Sequence, residues 1–204
     1  GSNLGGIQTI AYREGDHFKI KGSKRFISWG EHDLTENIIH LLLARIEGAP
    51  EGVRGISLFI VPKFRVNSDG LIGNQNDVIC ERVEEKLGLH ASPTCELNFG
   101  SHDGCIGYLC GEENKGLAHM FQMMNAARIH SGVSGMTLAS TAYQNALAYA
   151  KMRVQGRDIA GRKDCSVPII DHPDVRRMLL WMKAAVEGMR SMIYAGAYWS
   201  DFAL

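Results

Sequence analysis

The chain has 204 residues, 45% of them hydrophobic, and its 22 Lys and Arg balance 22 Asp and Glu. Such a composition belongs to a soluble globular protein with enough apolar material for a core, as one domain or two small ones. The formal charge of zero leaves no global field to hold nucleic acid or an anionic membrane surface, and the longest apolar runs, such as residues 38–43, fall well short of the ~20 residues of a membrane-spanning helix.

In chain order, residues 17–20 alternate in the strand period, and Gly22 leads into a second apolar stretch that ends at Phe26-Ile27-Ser28. Residues 37–46 read as a longer strand whose continuous apolar middle implies burial on both faces. Gly and Pro punctuate residues 47–52 as a turn, and the next strand, residues 56–61, ends at Pro62. Shorter strands are expected at residues 78–83, 94–99 and 106–109. Together these predict an antiparallel β-barrel-like domain over residues 1–112. After Gly116 the apolar residues return at helical spacing, from Leu117 and Phe121 to Tyr143, Ala146 and Ala150. Gly156 and a polar stretch to Cys165 break this helix. Beyond Pro168 and Pro173, a second helix is marked by Val175, Met178, Met182, Val186, Met189 and Ile193. Residues 113–204 thus form a helical part whose two helices cannot close a bundle alone, so their apolar faces need further helices or another subunit. The fold class is α+β, with strands first and helices after, which argues against a βαβ nucleotide fold.

Five scattered cysteines suit reduced thiols and a cytoplasmic protein. His90, His102, His119, His130 and His172 show no ligand spacing with each other or with cysteine, so no metal site is expected. The methionines at helical spacing, such as Met120, Met124, Met178 and Met182, are read as core fillers.

Five segments occur in a telling order: Gly1-Ser2-Asn3-Leu4, Gly22-Ser23-Lys24-Arg25-Phe26-Ile27-Ser28, Gly55-Ile56-Ser57-Leu58-Phe59-Ile60-Val61, Glu85-Lys86-Leu87-Gly88 and Tyr149-Ala150-Lys151-Met152-Arg153. With them the chain resembles the acyl-CoA dehydrogenase family along essentially its whole length. Gly30-Glu31-His32-Asp33-Leu34-Thr35-Glu36-Asn37 is similar to the large bacterial branch that includes methylthiopropanoyl-CoA dehydrogenases. The resemblance implies the middle β-domain and the first helices of the C-terminal domain, hence an internal fragment that is inactive by itself. It implies FAD held between these two domains and across a subunit interface, in a homodimer or tetramer. It also implies an acyl-CoA substrate and an electron-transfer flavoprotein or similar acceptor.

The resemblance also assigns residues. Phe26 would cover the flavin ring, in a position where many relatives have Trp, and Ser28 would donate a hydroxyl to it. Read without the resemblance, Phe26 is simply a strand core residue. Gly1 and Ser2 match positions near the FAD pyrophosphate, or else derive from a vector. Arg153 matches a basic residue that reaches FAD from the neighbouring subunit, while Gly156 stands where many relatives carry a Phe against the adenine. For CoA, Ser92 matches a pantetheine-side hydroxyl, and Asn125 and Arg128 match contacts to the nucleotide end, where a planar guanidinium suits phosphate. A plain salt bridge is the alternative for Arg128. No catalytic residue is assigned. One variant of the family carries its catalytic Glu just before the helix arginine, but this chain has Ala127 there, so the base is expected outside the 204 residues. Glu31, Asp33 and Glu36 are read as solvated turn residues. The rival readings are a flavin oxidase or monooxygenase of the same fold, and a catalytically silent or DNA-binding homologue.

Overall fold

In the computed structural model, which describes residues 3–161 and 163–202, the first half of the chain is built around one long strand. Strand β1 (Ile10–Glu14) turns at Gly15 into β2 (His17–Ser28), and the two pair antiparallel from Glu14 opposite His17 to Ile10 opposite Lys21. Next come β3 (Ile39–Ile46), β4 (Ile56–Pro62), the small hairpin β5 (Phe64–Val66) and β6 (Ile72–Gln75), then β7 (Val78–Val83), β8 (Thr94–Phe99) and β9 (Ile106–Leu109). Seven of these strands form one sheet in the order β1-β3-β4-β9-β2-β8-β7, with β1 returning to β2.

The antiparallel barrel-like expectation needs correcting to a mixed sheet that does not close fully. β1 lies parallel to β3, through Ile10 and Ala11 only. β2 is long enough to change partners: its first half pairs with β1 and β9, and beyond Gly22 it pairs with β8 instead. Gly22 sits at this switch with φ 142°, and a Cβ there would approach Thr9 Cα to 2.9 Å, so no other residue fits without displacing backbone.

The interior is mostly apolar. Ala11, Phe18, Ile20, Leu42, Ala44, Phe59, Val61, Leu97 and Phe99 are buried together, and the Phe18 and Phe59 rings meet edge to face at 5.1 Å. Each large side chain of this kind contributes about 1.5–3 kcal/mol by burial. Asn76 is a polar group that is fully buried as well: its Nδ2 donates to Pro62 O and Ile106 O, and its Oδ1 accepts from Ile106 N, each at 2.8 Å. It thereby supplies the ladder bonds the chain lacks where it leaves β6.

Two compact units are distinguished, Gly1–Gln122 and Met123–Leu204. Helix α1 (Gly116–Met152) begins in the first and fills much of the second. The second unit continues with the hairpin β10 (Val154–Arg157) and β11 (Ser166–Pro168), then helix α2 (Pro173–Phe202). Pro173 opens α2 at a position where its missing N–H costs nothing, and Asp174 complements the positive helix end. The sequence pattern did not announce β10 and β11. In α2, Leu179 and Val186 are buried, whereas Leu180, Trp181, Met192, Tyr194, Trp199 and Phe202 are exposed. Among the described residues no helix is long and apolar enough to cross a membrane.

Candidate functional site

The end of β2 carries a distortion with a clear cause. Lys24 stands opposite Leu97 and Ile27 opposite Cys95, so Arg25 and Phe26 together face the single residue Glu96. Two residues against one is a β-bulge, which bends a strand and re-aims a side chain. Phe26 takes φ 60°, a left-handed conformation uncommon for an aromatic residue, and its side chain is 70% exposed. The reading of Phe26 as a core residue therefore fails, because the bulge turns the ring outward. Arg25 Nε bonds the buried Glu96 carboxylate, which Arg82 Nε also reaches at 3.0 Å. This ion cluster pins the bulge from the opposite strand. Nothing in the sequence signals it, since its members lie 14 and 71 residues apart along the chain.

Beyond the bulge Ser28 is exposed and pairs with Thr94 at the start of β8. Trp29 also has positive φ, 57°, and its N–H donates to Pro93 O at 2.8 Å. Its indole ring meets His32 edge to face at 5.8 Å. The loop leading into β8 is folded on itself: Ser92 N donates to Leu89 O at 3.0 Å, and Lys86 Nζ donates to Leu89 O and Ser92 O. Leu87 and Leu89 are exposed beside it. Phe26, Ser28 and Ser92 are thus brought to one end of the sheet through the β2–β8 pairing, although 64 residues separate Ser28 from Ser92.

In the second unit Asn125 and Arg128 lie one turn apart on α1, both exposed, and Arg128 Nη1 donates to Asn125 Oδ1 at 3.2 Å. Arg153 follows the last turn of the same helix. Its N–H donates to Tyr149 O at 2.8 Å and its Nη2 to Gln155 Oε1 at 3.0 Å. Twenty-five residues at 1.5 Å each place Arg128 and Arg153 about 37 Å apart, so in one copy they cannot hold the same phosphate group. Gly156 has φ 77°, and a Cβ there would lie 3.3 Å from the His172 ring, which itself bonds Gln155 O at 2.8 Å. A phenylalanine there would be strained by that backbone and would press on the His172 ring. Gly1 and Ser2 lie outside the described residues. Among the described residues no three His, Cys, Asp or Glu side chains gather to hold a metal ion.

Inside the first unit a cavity of about 460 Å³ is lined by residues of β2 and β3, by the segment that precedes β1, by Leu97 and Phe99 of β8 and by Met120. Lys24 projects into it and donates to Leu43 O at 2.7 Å. Burial pulls the Lys24 amine down to about 8. His40, also on its wall, lies edge-on to Phe99 at 5.7 Å, and burial lowers its pKa in the same sense.

Residues 1–101 match the family model described as the acyl-CoA dehydrogenase middle domain, and residues 114–202 match that of the acyl-CoA dehydrogenase C-terminal domain. The chain is 49% identical, over its full length, to 34% of the 3-methylmercaptopropionyl-CoA dehydrogenase of Ruegeria pomeroyi. It is 44% identical, over 98% of its length, to 34% of a butyryl-CoA dehydrogenase of Syntrophomonas wolfei. The solved butyryl-CoA dehydrogenase of Megasphaera elsdenii superposes on 96% of the chain with a TM-score of 0.70 at 27% identity, over 45% of its own length. The chain spans about a third of the length of the curated relatives it matches.

Proposed function

The chain belongs to the acyl-CoA dehydrogenase family, its two parts matching that family's middle and C-terminal domains, and on this basis we propose that the intact protein oxidises the α,β C–C bond of an acyl-CoA thioester with FAD as cofactor. The observation that carries the reading is Phe26: an aromatic ring displayed outward in a strained backbone conformation, next to an exposed serine. Strain at an exposed position that buries little points to function. The bound flavin would supply the hydride acceptor at N5.

The chain's own residues do the rest. The ring of Phe26 covers the flavin and keeps water from it, and the Ser28 hydroxyl donates a hydrogen bond to it. Arg153 reaches an FAD phosphate or the adenine of the neighbouring subunit, with Gly1 and Ser2 near the pyrophosphate. On the thioester side the Ser92 hydroxyl contacts the pantetheine region. Arg128, braced by Asn125, offers its planar fork to the nucleotide end of CoA. Ala127 carries no carboxylate, so the α-proton passes to a Glu outside the 204 residues, and these residues alone are inactive.

Residues 1–112 form the middle domain and residues 113–204 the start of the helical one. The exposed apolar residues of α2 support a homodimer or tetramer. Electrons leave to an electron-transfer flavoprotein or a similar acceptor, in the cytoplasm. The test is to purify the intact protein and measure its flavin content and that of the Phe26→Ala variant. The account expects stoichiometric FAD in the former and a loss in the latter. Unchanged flavin binding and turnover in the variant would contradict it, as would stoichiometric flavin on the 204-residue chain alone.

A further inference from the structure

One residue of β8 is opposed by bulges on both of its flanks. On the β2 side Arg25 and Phe26 together face Glu96. On the β7 side the register slips by one residue between Cys80, opposite Leu97, and Arg82, opposite Glu96. Among the described residues no other position of β8 is flanked in this way. The neighbours Cys95 and Leu97 belong to the apolar core, so strand alternation points Glu96 to the opposite face of the sheet, where a carboxylate is ordinarily solvated. Its side chain is nevertheless only 7% exposed.

Two guanidinium groups stand against it. Arg25 Nε reaches Oε1 from one bulge, and Arg82 Nε reaches Oε2 at 3.0 Å from the other. Arg82 continues to Glu84, Nη2 to Oε1 at 3.0 Å, and Glu84 N donates to Thr94 O at 2.7 Å. The cluster is thereby anchored in the β7–β8 pairing and reaches across to the residue before Phe26. Each oxygen of the one buried carboxylate holds a different neighbouring strand, which makes both bonds charge-assisted. Neutralising Glu96 would leave Arg25 and Arg82 facing one another with no charge between them. The left-handed backbone of Phe26, φ 60°, is unfavourable for an aromatic residue and persists only where its surroundings hold it. Glu96 is the group on the opposite strand that does so.

We propose that Glu96 is a positioning residue for the cofactor: its carboxylate clamps the β2 and β7 bulges together and so fixes the outward Phe26 ring, while it does not touch the flavin itself. The inference rests on the reading of Phe26 as a flavin contact and adds the group that keeps the ring in place.

The test uses the intact protein and two readouts. One is hydrogen exchange of the segment 25–27, with the β4–β9 amides of Phe59, Ile60 and Leu109 as an internal control of folding. The other is the dissociation constant and visible spectrum of bound flavin. Glu96→Gln, which keeps the shape and removes the charge, should speed exchange at the bulge and weaken flavin binding, each about tenfold, with the control amides unchanged. In a Phe26→Gly background the same substitution should cost less than about twofold in flavin binding, because a residue that acts through the ring has nothing left to position. Arg82→Gln should move both readouts in the same direction, with Arg82→Lys recovering part of each, and it carries the test if Glu96→Gln does not fold. Bulge exchange unchanged in these variants would overturn the positioning role, whatever the flavin does. Equal losses of flavin binding with and without the Phe26 ring would overturn it too, since Glu96 would then act on the fold at large. A Phe26→Gly protein that binds flavin as tightly as its parent would overturn the cofactor reading and the role with it, and faster bulge exchange in Glu96→Gln would mark that failure as the reading's and not the clamp's.

Discussion

Replacing Phe26 with Gly separates a displayed ring from a packed one. The side chain is 70% exposed, so removing it forfeits at most about a third of the 1.5–3 kcal/mol that a fully buried ring contributes, under about 1 kcal/mol. Its φ of 60° costs a non-glycine residue about 1–2 kcal/mol, which glycine recovers. The greater freedom of glycine in the unfolded chain takes back roughly 0.5–1 kcal/mol. The sum lies within about 1 kcal/mol of zero, a shift of a few degrees in melting temperature. Denaturant unfolding of Phe26→Gly beside the parent protein reads this directly, and flavin turnover of the intact variant is expected to fall while stability holds. A loss of about 3–5 kcal/mol, typical of deleting a core aromatic, would refute the outward placement of the ring.

Lys24 titrates near about 8 in the folded chain against an ordinary 10.5. The folded state releases this proton more readily than the unfolded one, so the stability linked to this site is fully present above 10.5 and is lost as pH falls through about 8. The gap corresponds to roughly 3 kcal/mol. Unfolding midpoints of the 204-residue chain and its Lys24→Met variant, compared from pH 7 to 10, should diverge in that sense; the variant also cancels the opposing contributions of Cys80 and Cys105, whose thiols burial pushes up to about 11 and about 12. Arg128→Ala in the intact enzyme is expected to raise KM for the thioester about 10- to 100-fold with kcat little changed, with Arg128→Lys recovering only part. A fall in kcat alone would remove Arg128 from the binding role. Arg153→Ala should weaken flavin binding by a similar factor while leaving unfolding within about 0.5 kcal/mol, as befits an exposed side chain; unchanged flavin affinity would dissociate Arg153 from the cofactor.

What the sequence made legible follows from how local each signal is. Residues 78–83, 94–99 and 106–109 announce β7, β8 and β9 through apolar alternation between turns, and the periodic methionines and alanines announce α1 and α2. β1 escaped because Tyr12, Arg13 and Glu14 give it little apolar contrast; its strand state comes from pairing with β2 and β3. The parallel β1–β3 contact and the partner change along β2 are likewise facts of tertiary pairing, which is why an antiparallel barrel was the natural expectation. At the site, Phe26, Ser28 and Ser92 could be singled out by resemblance. The bulge that turns Phe26 outward depends on register against Glu96 and on the distant Arg82, and neither leaves a mark in the local pattern. Asn125 bracing Arg128 was readable in principle, since residues three apart on a helix are neighbours.

The most direct test of the account mixes the intact protein, without oxygen, with a panel of acyl-CoA thioesters and follows the visible absorbance of its flavin. The account predicts a coloured protein bleached by at least one thioester, faster than its Phe26→Gly variant. A coloured protein that no thioester bleaches would contradict the proposed reaction, and a colourless one would contradict the cofactor.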